Sequence, residues 1–416
     1  MIRSVKHQVG LLKTFTIHLH DISHGGDAVG ELDGKTIFVP LGIPGETVCV
    51  TITDDHPRYA NARLVEVLEP SPLRVAPSCP HFGRCGGCQW QHIAYPYQLE
   101  LKQRIVSSQL QRIGKLPNVR VQPVIGMENP WAYRNNVQYA LDASGQLGFR
   151  ALRSHDIVPI SECWIAHPLL EDLAAAFDLE CAGLTGLTLR VGAATGEQLV
   201  IFEGDSVPDI EVDFPVSCVY QSPEGKVTVL AGDSCYHEQL NQRLWQVSGP
   251  SFFQVNTSQA ERLLRTVSER LLDKNIDTLI DAYCGVGTFA LSLASRAKRV
   301  IGIEESPWAI YDAEANRLAN EDVTFQVGAT EELLPDGINA DCTVILDPPR
   351  AGCKPEVLQT LAVSGSKQVI YVSCDPATLA RDLALLARYG YQIGDVQPID
   401  MFPQTNHIEC VVSVKR

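Results

Sequence analysis

No run in this sequence reaches the roughly 18 consecutive apolar residues of a membrane span. The N-terminal stretch MIRSVKHQVGLLKTFTI also lacks a long apolar segment and a small-residue cleavage site. The expectation is a cytoplasmic protein with no membrane partner, and nothing in the sequence calls for an obligate protein partner. Repeats and low-complexity tracts are missing too, so the organisation has to be read from local patterning. Positive charge is scarce: 34 Lys and Arg face 49 Asp and Glu, a formal net charge of −15. That balance alone argues against nucleic-acid binding. The 13 cysteines are an odd number scattered over a long chain, which argues against a secreted disulfide framework. They are left as free thiols, metal ligands or catalytic groups.

The charge deficit is uneven. Residues 79–155 carry nine basic side chains (Arg84, Lys102, Arg104, Arg112, Lys115, Arg120, Arg134, Arg150 and Arg153) against Glu100, Glu128 and Asp142, a local +6. Such clustering is either a phosphate-contacting face or a solvated surface. With 416 residues, 45% hydrophobic and 20% charged, the chain has room for two or three globular domains.

Residues 13–70, within a first domain of residues 1–70, read as short strands separated by Gly, Asp and Pro turns such as Asp33-Gly34. That spacing predicts a small OB-like β-barrel, although its six basic and nine acidic residues make it acidic. Glu69-Pro70-Ser71-Pro72 reads as a linker. Cys79, Cys85 and Cys88 follow within ten residues, with glycines between them that allow a tight wrap. Thiolates converging this closely suit a soft ion. Cys163 is the best candidate for a fourth ligand. Structural zinc and an iron–sulfur cluster both fit, since the spacing matches neither standard ferredoxin pattern. Residues 95–114 predict an amphipathic helix with Leu99, Val106, Leu110 and Ile113 on one face. Residues 120–245 read mainly as strands and hairpins, with turns at Ser144-Gly145 and Ala194-Thr195-Gly196 and a helix at Pro168–Phe177.

From about residue 246 strands alternate with helices, the pattern of a doubly wound α/β sheet. A strand ends at Asp281-Ala282-Tyr283 and opens into the turn Cys284-Gly285-Val286-Gly287-Thr288. The next ends on Glu304, an acid placed to hydrogen-bond a ribose diol. A dinucleotide fingerprint would have a third glycine at position 290, where Ala stands, so an adenosine-type cofactor without a pyrophosphate fits better. A later strand closes on Asp347-Pro348-Pro349-Arg350, and another on Ser373-Cys374-Asp375-Pro376. Ligands of open α/β sheets bind beyond the carboxyl ends of the strands. Cys374 there is a candidate nucleophile, and Glu409 before the last strand is a candidate base. Uracil C5 is a poor nucleophile until a thiolate adds at C6, and a base must afterwards remove the C5 proton.

The set Phe253-Gln254-Val255-Asn256, Asp281–Gly287, Asp347–Gly352, Ser373–Pro376 and Met401–Glu409 resembles the uracil-C5 RNA methyltransferase family, in the family's order and across most of the chain. With four cysteines and an N-terminal barrel similar to a TRAM domain, it looks most like the branch that methylates large-subunit rRNA. The resemblance implies a Rossmann-like class I methyltransferase domain at 246–416, a mainly β iron–sulfur domain at 71–245, and a TRAM-like RNA-binding barrel at 1–70. It implies Cys374 as nucleophile and Glu409 as base, with Gln254, Tyr283, Glu304 and Asp347 holding S-adenosylmethionine. It further implies a 4Fe-4S cluster on Cys79, Cys85, Cys88 and Cys163, a base-stacking role for Phe252 and a phosphate or site-shaping role for Arg134. The RNA acceptor is rRNA first, tRNA as the alternative, and a non-catalytic RNA-binding protein is the rival of a different class. Asp375 departs from the family's usual Asn, Thr288 from a frequent Asn, and Asn136 from a common basic residue. An unscreened Asp375 carboxylate would raise the pKa of the adjacent thiol.

Overall fold

A computed structural model describes residues 13–416 apart from 143–144, 177–182 and 274. Residues 1–12, Ser144 of the expected turn and Phe177 at the end of the expected helix lie outside the described residues. Strands β1 (Thr14–Ile22), β2 (Ala28–Leu32), β3 (Lys35–Val39), β4 (Thr47–Asp55) and β5 (Tyr59–Glu69) close into a barrel in the order β1-β2-β3-β5-β4. Alternation explains the closure: Ile17, Leu19, Val48, Val50, Ala60 and Ala62 face inward while their neighbours face out. Asp33 and Gly34 both take positive φ, 52° and 77°, as a tight hairpin turn requires.

After the barrel comes helix α1 (Tyr95–Arg112), followed by β6 (Asn136–Leu141), β7 (Leu147–Arg150), β8 (Ile157–Pro159), α2 (Pro168–Ala175), β9 (Leu184–Val191), β10 (Gln198–Gly204), β11 (Ser217–Gln221) and β12 (Val227–Ala231). These strands form one seven-stranded sheet, β12-β11-β10-β9-β6-β7-β8, and β13 (Cys235–Leu240) pairs with β14 (Arg243–Ser248) as a separate hairpin.

The C-terminal part runs α3 (Thr257–Arg270), β15 (Ile276–Ala282), α4 (Thr288–Ser292), β16 (Ala297–Glu304), α5 (Pro307–Asn316), β17 (Val323–Val327), α6 (Thr330–Gly337), β18 (Cys342–Leu346), α7 (Pro355–Ser364), β19 (Gln368–Ser373), α8 (Pro376–Arg388), β20 (Gln392–Ile399) and β21 (Glu409–Lys415). Its sheet has the order β17-β16-β15-β18-β19-β21-β20. The first five strands are parallel, and β21 lies antiparallel between β19 and β20. The ends of β15, β16, β18 and β19 therefore deliver Tyr283, Glu304, Asp347 and Cys374 to one edge. Because β21 runs the other way, its first residue, Glu409, arrives at that same edge, and the next, Cys410, pairs with Ser373.

Helix α1 packs differently from its apolar spacing. Its buried residues are Gln98, Leu101, Lys102, Ile105, Val106 and Leu110, whereas Ile113 is 45% exposed. The leucines and isoleucine of this face share a core with Leu379 and Leu383 of α8. The face was hidden from a hydrophobic count because two of its members are polar and satisfied. Gln98 Nε2 donates to Gln404 Oε1 at 3.0 Å, and Lys102 Nζ donates to Asp400 Oδ1 at 2.6 Å. Lys102 and Asp400 are both fully buried, and Tyr95 Oη donates to the other Asp400 oxygen at 2.9 Å. Burial pulls the Lys102 pKa down, and the Asp400 carboxylate pushes back. Removing one partner leaves a buried uncompensated charge, so Lys102→Met should destabilise the fold by about 3–5 kcal/mol. Urea unfolding measures this, and the double variant Lys102→Met, Asp400→Leu should recover much of the loss.

Candidate active site

A cleft of about 750 Å³ opens beyond the strand ends and is lined by Gln254, Tyr283, Glu304, Asp347, Arg350, Cys374 and Glu409. Every residue singled out in the sequence for the cofactor and the reaction thus faces one space, together with Phe252 and Thr288. Its floor is the turn after β15. Gly285 has φ 52° and open space where a Cβ would be, and Gly287 has φ 86°. Tyr283 adopts φ 137°, a strained backbone for a residue with a side chain. Asp281 is fully buried and accepts from the Ala290 N–H at 2.8 Å, which ties the turn to α4. Burial pushes its pKa up to about 8, and the carboxylates of Asp347 and Glu304 add to the rise. Glu304 is held at the tip of β16, accepting from the Gly285 N–H at 3.1 Å and the Ser306 N–H at 2.8 Å. Glycine turn, aimed carboxylate and cleft fit an adenosyl ligand.

The loop carrying Gln254 is anchored from several sides. Asn135 Nδ2 donates to the Gln254 carbonyl at 3.1 Å, Asn256 caps α3, and Asn256 Nδ2 donates to the Met401 carbonyl at 3.0 Å. Ser251 Oγ donates to the buried Asp312 carboxylate at 2.5 Å. This leaves Phe252 67% exposed at the cleft, an available stacking face.

The reactive edge is crowded with like charge. Burial raises the Cys374 thiol to about 11, the carboxylates of Glu409, Asp347 and Asp375 add to it, and Arg350 opposes them. Glu409 is 5% exposed, its Oε1 has no hydrogen-bond partner, and burial followed by the Asp347 charge drives its pKa far up. Burial raises Asp347 to about 7. Two buried carboxyls set this close resist ionising together, which is why the Asp347 charge pushes Glu409 further up. The expected penalty from Asp375 is small, because its charge is largely engaged. Its Oδ1 caps α8, accepting from Ala377 and Thr378 N–H at 2.9 and 2.8 Å, and its Oδ2 meets His24 Nε2 at 3.1 Å. Burial would raise Asp375, but His24 and the cap N–H groups hold it at about 2. His24 lies 351 residues away in the barrel, so no sequence signal pointed to it. Arg350 is the cation that eases Cys374 toward ionisation.

Cys79, Cys85, Cys88 and Cys163 line a second, separate cavity of about 170 Å³ with Arg134, Phe149 and Trp164. Arg134 thus faces the cysteines, not the cleft, and its Nε is buried without a partner. Burial pushes Cys88 up to about 12 and Cys163 to about 11. Among the described residues no three His, Cys, Asp or Glu side chains converge as ligands of a single metal ion. The thiols ring a cavity instead. The local +6 of residues 79–155 overstates free positive charge: Lys102 is buried with Asp400, and Arg153 pairs with Asp27. Among the described residues no helix is long and apolar enough to cross a membrane.

Comparison with known proteins accords with this geometry. Residues 235–416 match the family described as tRNA (uracil-5-)-methyltransferase, and residues 11–65 match the TRAM domain. An uncharacterized RNA methyltransferase of Bacillus cereus is 37% identical, with 95% of each chain covered. One from Gloeobacter violaceus is 36% identical over 97% of each. The crystal structure of the Pyrococcus abyssi tRNA (uracil-54, C5)-methyltransferase with S-adenosyl-L-homocysteine superposes with a TM-score of 0.78 at 29% identity, covering 96% of this chain and 100% of that one.

Proposed function

This chain belongs to the RNA uracil-5 methyltransferase family and carries its TRAM domain, and from that premise we propose that it methylates C5 of a uridine in ribosomal RNA through a covalent adduct on Cys374. It is an S-adenosylmethionine-dependent RNA methyltransferase. The observation that carries the finer reading is the meeting of Cys374, Glu409 and Asp347 at one edge of a cleft that also holds Gln254, Tyr283 and Glu304. The sheet order supports a Rossmann-like class I methyltransferase domain at 246–416, with the barrel at 1–70 and the cysteine-bearing mainly β unit at 71–245. S-adenosylmethionine supplies the electrophilic methyl group when bound.

In this reading Cys374 Sγ adds to uracil C6, and the electron pair moves to C5 as an enolate. C5 takes the methyl group that the bound cofactor would supply, its S–CH3 bond breaking to leave the neutral thioether S-adenosylhomocysteine. Glu409, as carboxylate, removes the remaining C5 proton, the C6–S bond breaks and the thiolate is released. Glu304 binds the ribose diol, and Gln254, Tyr283 and Asp347 hold the remainder of the cofactor. The target base must leave its stack, since C6 attack needs the ring face. Exposed Phe252 offers a surface for a neighbouring base.

Cys79, Cys85, Cys88 and Cys163 would hold a 4Fe-4S cluster with a structural role, because methyl transfer moves no electron. Four thiols lining one cavity are the donor set that such a cluster takes. Protein purified without oxygen should be brown and contain iron and acid-labile sulfide, and Cys163→Ser should lower both. A colourless protein containing zinc would reverse the assignment.

The likeness to a tRNA uracil-54 enzyme favours tRNA as the second reading of the acceptor. Incubation with methyl-labelled cofactor and separate rRNA and tRNA pools, followed by nucleoside mapping, decides. Label at uridine C5 of rRNA is the expected result. Label only in tRNA selects the second reading. RNA binding with no label in either pool overturns the enzymatic assignment.

A further inference from the structure

The barrel does more than adjoin the catalytic sheet. Its β1–β2 loop is wedged into the active-site edge. The loop is internally tight, with Ser23 N–H donating to the Asp27 carbonyl at 2.8 Å and Gly26 N–H to the Ser23 carbonyl at 3.0 Å. Gly26 has φ 85°, and a Cβ placed on it would stand 2.5 Å from the Asn406 Cβ, in the loop that leads to Glu409. Trp90 Nε1 donates to the Gly26 carbonyl at 3.0 Å, and Asp27 pairs with Arg153. The loop is thus clamped just after His24, whose Nε2 reaches Asp375 Oδ2 at 3.1 Å. Asp375 directly follows Cys374 and caps the helix that starts beside it.

We infer that His24 is a positioning residue for the methyl-transfer reaction: from the barrel it hydrogen-bonds the Asp375 carboxylate and holds the turn that presents the Cys374 thiol. The inference rests on the reading of Cys374 as nucleophile. It assigns the TRAM-like barrel a part in forming the catalytic site, beyond any contact with RNA. The charged and titratable groups around the thiol are Glu409, Asp347, Asp375, Arg350 and the neighbouring Cys410. Three carboxyl groups face one guanidinium, so a hydrogen bond that ties up one of them bears directly on thiolate formation. Asp375 also shows why this chain accommodates an acid beside its nucleophile. Its cap acceptors would serve equally well from Asn, but only the carboxylate makes His24 necessary.

The test uses the full-length protein and follows alkylation of Cys374 by iodoacetamide against pH, with the Cys374 peptide quantified by mass spectrometry, alongside methyl transfer to RNA. His24→Ala should slow alkylation at neutral pH by about threefold to tenfold, the tenfold limit being one unit of thiol pKa, and move the profile to higher pH. His24→Gln, which keeps a hydrogen-bond donor on a side chain of different shape, should fall between His24→Ala and the unchanged protein. Asp375→Asn alone should move the profile to lower pH, and in the Asp375→Asn background His24→Ala should have no further effect. A His24→Ala profile superimposing on the unchanged one, or an undiminished loss in the double variant, overturns the inference. Should His24→Ala fail to fold, the Asp375→Asn and His24→Gln profiles decide alone. Cys374→Ala separates the two levels: methyl transfer surviving that change sinks the nucleophile reading itself, whereas its loss together with a silent His24→Ala sinks only this inference.

Discussion

Cys374→Ala should lower methyl transfer by about 10⁴-fold or more while leaving the protein folded, the scale expected when an enzyme loses its covalent nucleophile. The thiol is half-buried at the end of β19, and alanine fits the same space, so thermal unfolding should change little. Without Sγ there is no addition at C6, and C5 stays a poor nucleophile however well the cofactor is bound. The unchanged enzyme carries a diagnostic of its own. With the thiol raised to about 11 by burial and by the Glu409 and Asp347 carboxylates, its ionised fraction is set by pH. Alkylation of Cys374 in the free protein should therefore climb about tenfold per unit between pH 7 and 10. A flat profile would mean the thiol is already ionised. Retained labelling of uridine C5 by Cys374→Ala would remove the covalent mechanism.

Glu409→Gln should lower turnover by about 10²- to 10⁴-fold, the usual contribution of a positioned base, and should do so by trapping the adduct instead of preventing it. Glutamine has the size and shape of glutamate but cannot accept the C5 proton. The same change takes a carboxyl group away from beside the Cys374 thiol, and it relieves Asp347 of an acidic neighbour. Attack at C6 should become easier as elimination fails. Denaturing gels should show a slowly migrating protein–RNA species that forms in one turnover and persists. Loss of that species in a Cys374→Ala, Glu409→Gln double variant would tie it to the thiol. Normal turnover by Glu409→Gln would assign the base elsewhere.

Much of the site was legible because it is local. The Asp281–Gly287 turn, the acid ending β16, the Asp347-Pro348-Pro349 strand end and the Ser373–Pro376 turn each declare themselves within a few residues. Parallel topology then obliges strand ends to gather at one edge. The buried face of α1 was not legible in this way. Gln98 and Lys102 read as solvent-facing until Gln404 and Asp400, about 300 residues later, are brought against them. The basic middle segment was legible only in part for the same reason, since a charge count does not show that Lys102 and Arg153 are paired. Helix α4 likewise owes its brevity to context: it stops at Ser292, and a short turn of 3₁₀ helix, Ala294–Arg296, leads into β16.

The sequence by itself determined the alternating α/β pattern, the five-stranded barrel, the four grouped cysteines and the identities of Cys374, Glu409, Gln254, Tyr283, Glu304 and Asp347 as the residues to watch. Tertiary structure alone decided that β21 enters antiparallel beside β19, which is what sets a carboxylate against the thiol. It alone placed His24 on Asp375, turning an apparently harmful charge beside Cys374 into half of a pair. The physical reason is range. Turn chemistry and periodicity act over a few residues and are written in order along the chain. Charge compensation and burial act through space between segments whose meeting depends on every strand between them.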